Sequence, residues 1–364
     1  MGIDTAASLF AHACIFSGYS LVGRREYHSN IKGRHSYFDI AFGTSAPSSV
    51  GERIDLLLAP DAETLFRHFS MLTTGGIVLH DEADLPATPR RQGFLDAELK
   101  ARLTQMLGEP ATVQTLLSLR SDESIRCYGI PFKALLAELA GELGCKAREL
   151  ERLSNTIGVA VAAVLSGFES DALERAVGVL FQGHAERLQQ NRLAVRHAVR
   201  FVQQQGWPQR GLLTEARSAP RPPMLLNACQ SVALGKLAAG VGLQSYYPIS
   251  PATDESAFLE AHPTVQRRDS TAYHPQIVQT EDEIAAITLA AGAALTGVRA
   301  ATATSGPGLS LMAEGLGWAG MNEVPLVLTH YQRGGPSTGM PTRTEQGDLQ
   351  FAIHAGHGEF PRVV

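Results

Sequence analysis

The sequence has 364 residues, 44% hydrophobic and 18% charged, enough for two or three globular domains whose cores need no disulfide or metal staple. Its 31 basic and 36 acidic residues leave a formal charge of −5 and a pI near 6.2, which argues against a general binder of nucleic acid or acidic membranes. Cys14, Cys127, Cys145 and Cys229 are scattered with no C-x-x-C pair, so their spacing offers neither an iron–sulfur cluster nor a zinc site. No metal ligand set is assigned to this chain. Unpaired cysteines suit a reducing compartment. No run of about eighteen apolar residues occurs and no secretory signal opens the chain, so no membrane span and a cytoplasmic location are expected.

In chain order, residues 1–128 alternate short apolar runs with helical patterns. Ile54 to Ala59 and Gly76 to His80 are buried-strand candidates, and Ala62 to Leu72 between them carries Leu65, Phe66, Phe69 and Leu72 at helical spacing. Strand, helix, strand predicts a parallel α/β unit. Residues 129–205 read as helical: Phe132 to Leu143 is amphipathic, Ser154 to Leu165 almost wholly apolar, and Ala172 to Val202 apolar at three-to-four spacing. Ser154 or Asn155 is a candidate start for the middle helix and Gly167 a candidate stop. Residues 206–222 are proline-rich and poor in apolar side chains, which predicts a linker between a first domain, 1–205, and a second, 223–364.

The second domain reads as helix (Leu226 to Ala239), strand (Ser245 to Tyr247), helix (Glu281 to Ala294), strand (Arg299 to Thr304), helix (Leu309 to Gly317) and strand (Leu326 to His330). That order predicts a doubly wound α/β sheet, which binds ligands at the carboxyl ends of its strands. Four strand-end segments therefore matter. In Tyr247-Pro248-Ile249-Ser250-Pro251, two prolines hold the Ser250 hydroxyl, either for a substrate oxygen or as a plain proline turn. In Gln279 to Ala286, Thr280 and Glu283 fit a T-x-x-E capping box, a sufficient local reason for both residues. Thr302 to Gly308 is small enough for close backbone approach and lacks a nucleotide phosphate-loop pattern, so a tight turn explains it equally well. In Gln332 to Gly339, Arg333 can grip a carboxylate through two hydrogen bonds or remain solvated.

Taken together, the blocks Tyr247–Pro251, Glu281–Ile287, Thr302–Gly308, Gln332–Thr342 and His357–Arg362 resemble the α-subunit of 2-oxoacid:ferredoxin oxidoreductases. The stretch from Arg25 to Ser36 resembles the γ-domain of the same enzymes, fused ahead of the α-domain. The resemblance implies an N-terminal γ-type α/β domain with a helical segment, then a domain binding the pyrimidine half of thiamine diphosphate. It implies that Glu283 bonds the pyrimidine ring nitrogen and favours the imino tautomer, with Ser305 and Gly306 also against the cofactor. Ser250 stands where the family motif has threonine, and with Arg333 and Thr338 it would bind the 2-oxoacid. Serine keeps the hydroxyl but loses the methyl that restricts its rotamer.

The implied reaction is oxidative decarboxylation of a 2-oxoacid, 2-oxoglutarate or pyruvate-like, to an acyl-CoA with electrons passed to ferredoxin. No G-D-G motif followed by asparagine and no cysteine cluster occurs. The resemblance therefore places the diphosphate, Mg²⁺ and a [4Fe–4S] cluster on a partner β-subunit in a hetero-oligomer, with coenzyme A as co-substrate. Relative to the family pattern both ends look short, which predicts a fragment or a truncated product. Two alternatives stand beside it: an inert assembly or regulatory subunit, and a transketolase-like carboligase half-site.

Overall fold

A computed structural model describes residues 2–26, 35–119, 125–208, 224–266, 270–334 and 347–364. The described residues form two compact units, divided between Leu225 and Leu226. The predicted linker lies largely outside the described residues, as does most of the stretch from Arg25 to Ser36.

The first unit opens with helix α1 (Ile3–Phe16), which buries Leu9, Ala13 and Cys14. Burial pushes the Cys14 thiol up to about 12, so it behaves as a small apolar side chain. Gly18, at φ +84°, turns the chain into β1 (Ser20–Glu26), which pairs antiparallel with β2 (Tyr37–Gly43). This hairpin is an addition to the parallel α/β unit read from sequence. That unit follows as β3 (Ile54–Ala59), α2 (Ala62–His68), β4 (Leu72–Asp81), α3 (Ala97–Leu107), α4 (Val113–Ser118) and β5 (Arg126–Ile130). The three strands are parallel, in the order β3–β4–β5. Asp61 starts α2 by accepting a hydrogen bond from the Thr64 N–H at 2.8 Å. The helix stops at His68, short of the Leu72 expected from periodicity, because Leu72 is recruited to β4 opposite Ile54.

The helical region contains α5 (Phe132–Leu143), α6 (Ser154–Leu165), α7 (Ser170–Leu180) and α8 (Ala185–Gln205). Every residue of α6 from Thr156 to Leu165 is buried, as an all-round apolar helix requires. Neither Ser154 nor Asn155 caps it. The chain enters α6 directly from a 3-10 turn at Ala147–Leu153, and the Ser154 hydroxyl donates instead to the Glu151 carbonyl at 2.8 Å. Gly167, at φ +92°, does follow its end. The apolar repeat from Ala172 to Val202 is two helices, broken around Gly183.

The second unit contains α9 (Ala228–Ala238), β6 (Leu243–Tyr246), α10 (Thr253–Glu260), β7 (Val265–Gln266), β8 (Ala272–Tyr273) and β9 (Gln276–Gln279). It continues with α11 (Glu283–Leu295), β10 (Ala300–Ser305), α12 (Gly308–Met321), β11 (Val327–Tyr331) and α13 (Leu349–His354). Four strands form a parallel, doubly wound sheet in the order β11–β10–β6–β9, while β7 and β8 make a separate short ribbon. The sequence reading lacked α10 and β9. The small residues Ala286, Ala290 and Ala294 let α11 pack closely with α12 over the sheet, and Ala233, Leu237 and Leu259 join α9 to α10. No helix among the described residues is long and apolar enough to cross a membrane.

Candidate active site

All four predicted strand-end segments meet, through their described residues, at the carboxyl edge of the second unit's sheet. β10 lies between β6 and β11, so a side chain leaving β11 must cross β10 to reach the loop after β6. Arg333, two residues past β11, does so. Its Nη1 donates to the Ser250 carbonyl at 2.7 Å. The crossing depends on Gly306, because a Cβ there would stand 2.9 Å from Arg333 Nε. Gly306 also has φ +53°, a conformation L side chains rarely adopt. The Ser250 side chain is exposed, following the strand-end residue Tyr246 and preceding a cis bond to Pro251.

Glu283 is the first residue of α11 and only 5% exposed. It is not part of a capping box. Asp282 caps the helix by accepting from the Ala285 N–H at 2.6 Å. Thr280 instead donates its hydroxyl hydrogen to the Asp282 carbonyl at 2.8 Å, with the Tyr246 carbonyl 3.2 Å away. The local reading of T-x-x-E is thereby corrected: the chain turns two residues later than the pattern suggests, and Asp282 competes successfully for the cap. Among the described residues, Glu283 has no side-chain hydrogen bond or ion pair. Its carboxylate lies instead over Gly308, where a Cβ would meet Glu283 Oε1 at 2.8 Å and would also collide with the Thr304 hydroxyl.

The hydroxyls of Thr302, Thr304 and Ser305 are buried and have no hydrogen-bond partner among the described residues. Orphaned polar groups of this kind cost free energy unless something satisfies them. A buried carboxylate, the adjacent unsatisfied Thr304 hydroxyl and a glycine-lined approach fit the polar edge of an aminopyrimidine. Thr338, expected to assist Arg333, lies outside the described residues. No group of three or more His, Cys, Asp or Glu side chains suited to a metal occurs among the described residues.

The His357–Arg362 block has a packing role. The His357 backbone and ring lie against Gly317, and the Phe360 ring against Gly320, so the segment runs along α12 where side chains are missing. Arg362 donates to the carbonyls of Ile353 (2.6 Å) and Ala355 at the end of α13. His330 Nε2 lies 3.2 Å from Asp348 Oδ2, which ties β11 to the start of α13.

Sequence reasoning missed a buried polar network beneath the Ser250 loop. Glu255 of α10 is fully buried; its Oε1 pairs with Lys236 Nζ and its Oε2 accepts from the Tyr331 hydroxyl at 2.8 Å. Lys236 also donates to Gln244 Oε1 at 2.8 Å, and Gln244 Nε2 donates to the Ser256 hydroxyl at 2.8 Å. Burial lowers the Lys236 pKa against the pull of Glu255. Burial and the bond to Glu255 raise that of Tyr331, which stays protonated. The available signal was a single lysine among apolar neighbours in Leu234-Gly235-Lys236-Leu237-Ala238.

Two family models match the chain. The one described as pyruvate ferredoxin/flavodoxin oxidoreductase matches residues 1–201, and the one for the thiamine-diphosphate-binding region of pyruvate flavodoxin/ferredoxin oxidoreductases matches 234–364. The 2-oxoacid:ferredoxin oxidoreductase 1, subunit alpha, of Sulfurisphaera tokodaii is 42% identical over 371 residues, covering 100% of this chain and 58% of its own length. The 2-oxoglutarate oxidoreductase subunit KorA of Mycobacterium tuberculosis is 27% identical over 380 residues, covering 100% of this chain and 54% of itself. Among solved structures, the 2-oxoglutarate:ferredoxin oxidoreductase of Magnetococcus marinus, with 2-oxoglutarate, coenzyme A and succinyl-CoA bound, superimposes with a TM-score of 0.70. It is 26% identical, and the match covers 99% of this chain and 55% of that one. The chain thus spans little more than half the length of these relatives.

Proposed function

Because the chain belongs to the pyruvate ferredoxin/flavodoxin oxidoreductase family, we propose that it carries the pyrimidine-side half of the active site of a 2-oxoacid:ferredoxin oxidoreductase. The observation that carries this reading is Glu283, buried at the start of α11, relieved of capping by Asp282, and facing the unsatisfied Thr304 hydroxyl across Gly308. The substrate is a 2-oxoacid, either 2-oxoglutarate or a pyruvate-like acid, and the product an acyl-CoA.

Thiamine diphosphate, when bound, supplies the carbon nucleophile and electron sink that 2-oxoacid decarboxylation requires. The chain's own residues have simpler tasks. Glu283 accepts a hydrogen bond from a pyrimidine ring N–H and so holds a proton at that nitrogen. The hydroxyls of Thr304 and Ser305 are available to the same heterocycle. Arg333 binds the substrate carboxylate through its planar fork, and the exposed Ser250 hydroxyl binds a second substrate oxygen. The family resemblance assigns Thr338 to substrate binding as well.

The diphosphate, Mg²⁺ and a [4Fe–4S] cluster are assigned to a β-subunit, and ferredoxin to the role of electron acceptor. The outer face of α11 supports a covering partner: Ile284, Leu289 and Leu295 are exposed, although the helix is apolar on all sides. A cytoplasmic location goes with ferredoxin-linked chemistry. No observation favours an inert assembly subunit or a carboligase half-site.

Co-expression with a diphosphate-binding β-subunit tests the proposal. The expected result is viologen-dye reduction that depends on a 2-oxoacid, coenzyme A and thiamine diphosphate together. An assembled complex that reduces no dye with pyruvate, 2-oxoglutarate or branched 2-oxoacids would refute it.

A further inference from the structure

We infer that Tyr331 and Glu255, with Lys236 behind them, are a positioning device that sets the Ser250 loop at its working distance from Arg333. The inference rests on the substrate role proposed above for Ser250 and Arg333.

Geometry makes the loop and α10 one body. The Thr253 N–H donates to the Ile249 carbonyl at 3.0 Å, and the Asp254 N–H to the Pro251 carbonyl at 3.2 Å. Ser250 therefore moves with the first turn of α10, where Glu255 resides. α10 is moored at two points by tyrosines from strand ends. Tyr331 donates to Glu255 Oε2, and Tyr246 donates to Glu260 Oε1, each at 2.8 Å. Tyr331 precedes Arg333 by two residues, so one strand end carries both the substrate-gripping cation and the group that fixes the opposing loop. The Arg333 bond to the Ser250 carbonyl closes the bracket from above.

Stability alone gives little reason for this chemistry. A buried ion pair is seldom more stabilising than apolar residues of the same volume, because two charges must leave water. What a hydrogen-bonded network adds is a unique geometry: Glu255 is satisfied only where both Lys236 and Tyr331 reach it. A sub-ångström error in the loop matters here, since a carboxylate held between Arg333 and Ser250 must meet both.

The test uses the complex assembled with its β-subunit. Tyr331→Phe removes one oxygen and keeps the packing. It is expected to raise KM for the 2-oxoacid about tenfold while leaving kcat and thiamine diphosphate affinity within about twofold. Amide hydrogen exchange at Thr253 and Asp254 should quicken about tenfold, with Ala301 and Ala303 unchanged. The Lys236→Met/Glu255→Gln double variant retains an acceptor for Tyr331 and should keep KM within about threefold of the parent. Unchanged KM and unchanged exchange in Tyr331→Phe would overturn the inference, as would a loss confined to kcat. If the parent complex turns over no 2-oxoacid, the functional reading fails by itself, and the exchange rates alone decide whether the positioning pair exists.

Discussion

Glu283 lies against the bare backbone of Gly308: a Cβ at residue 308 would come within 2.8 Å of Glu283 Oε1 and 2.9 Å of its Cγ. This contact joins the start of α11 to the start of α12, and it keeps the carboxylate at the sheet edge near Thr304. Gly308→Ala should displace Glu283 and cost about 1–3 kcal/mol through overpacking. Urea unfolding would measure that cost. Thiamine diphosphate titration of the assembled complex should show weakened binding in the same variant.

Asp282, and not the Thr280–Glu283 pair, caps α11 by accepting from the Ala285 N–H. Asp282→Ala should therefore destabilise the unit by about 1 kcal/mol. Glu283→Gln removes no hydrogen bond seen among the described residues and should change stability by less than about 1 kcal/mol. It should nonetheless abolish 2-oxoacid turnover. Full activity in that variant would reduce Glu283 to a bystander.

Arg333 is the one cation that crosses β10 to the Ser250 carbonyl among the described residues. A charge-assisted pair is worth about 1.5–3 kcal/mol, so Arg333→Ala should lower kcat/KM for the 2-oxoacid by about 10- to 100-fold. Most of the loss should appear in KM, read from steady-state dye reduction. Arg333→Lys should recover only part of it, because a point charge lacks the planar fork.

Lys236 neutralises a carboxylate that has no access to water. Lys236→Met alone should destabilise the unit by about 3–5 kcal/mol, since Glu255 would be left buried and uncompensated. Adding Glu255→Gln should restore most of that loss. Denaturant midpoints of the two variants provide the comparison.

His68 is buried, and its Nε2 lies 2.9 Å from Nε2 of His35. Burial, with His35 beside it, lowers its pKa from 6.5 to about 4. Its neutral form is thus favoured in the folded chain, and the unfolded chain binds the extra proton between those values. The resulting stability is complete above pH 6.5 and is lost as pH falls toward 4. A His68→Gln variant should show a flatter decline in urea midpoint across that window than the parent does.

Local periodicity made much of the fold legible. The strand Ile54–Ala59 and the helices Phe132–Leu143 and Ser154–Leu165 sit where their apolar spacing places them, because side-chain burial follows backbone repeat directly. β9, with the mixed sequence Gln276-Ile277-Val278-Gln279, gave no such signal. Its existence depends on pairing with β6, which supplies hydrogen bonds that no four-residue window encodes. α10 was hidden likewise, because Glu255 in its first turn is a charge whose partners, Lys236 and Tyr331, lie on other elements.

Sequence by itself determined which residue types stand at the strand ends, since Glu283, Arg333 and Ser250 belong to recognisable local segments. Only the tertiary structure decided what each of them touches. Arg333 reaches Ser250 because Gly306, just past the end of β10, leaves room between them, and Glu283 is left to the site because Asp282 takes the cap. Tyr331, Glu255 and Lys236 meet from three elements separated by up to 95 residues of chain (331 − 236). Hydrogen bonds and buried charges act over a few ångströms of space, whereas sequence records only distance along the chain.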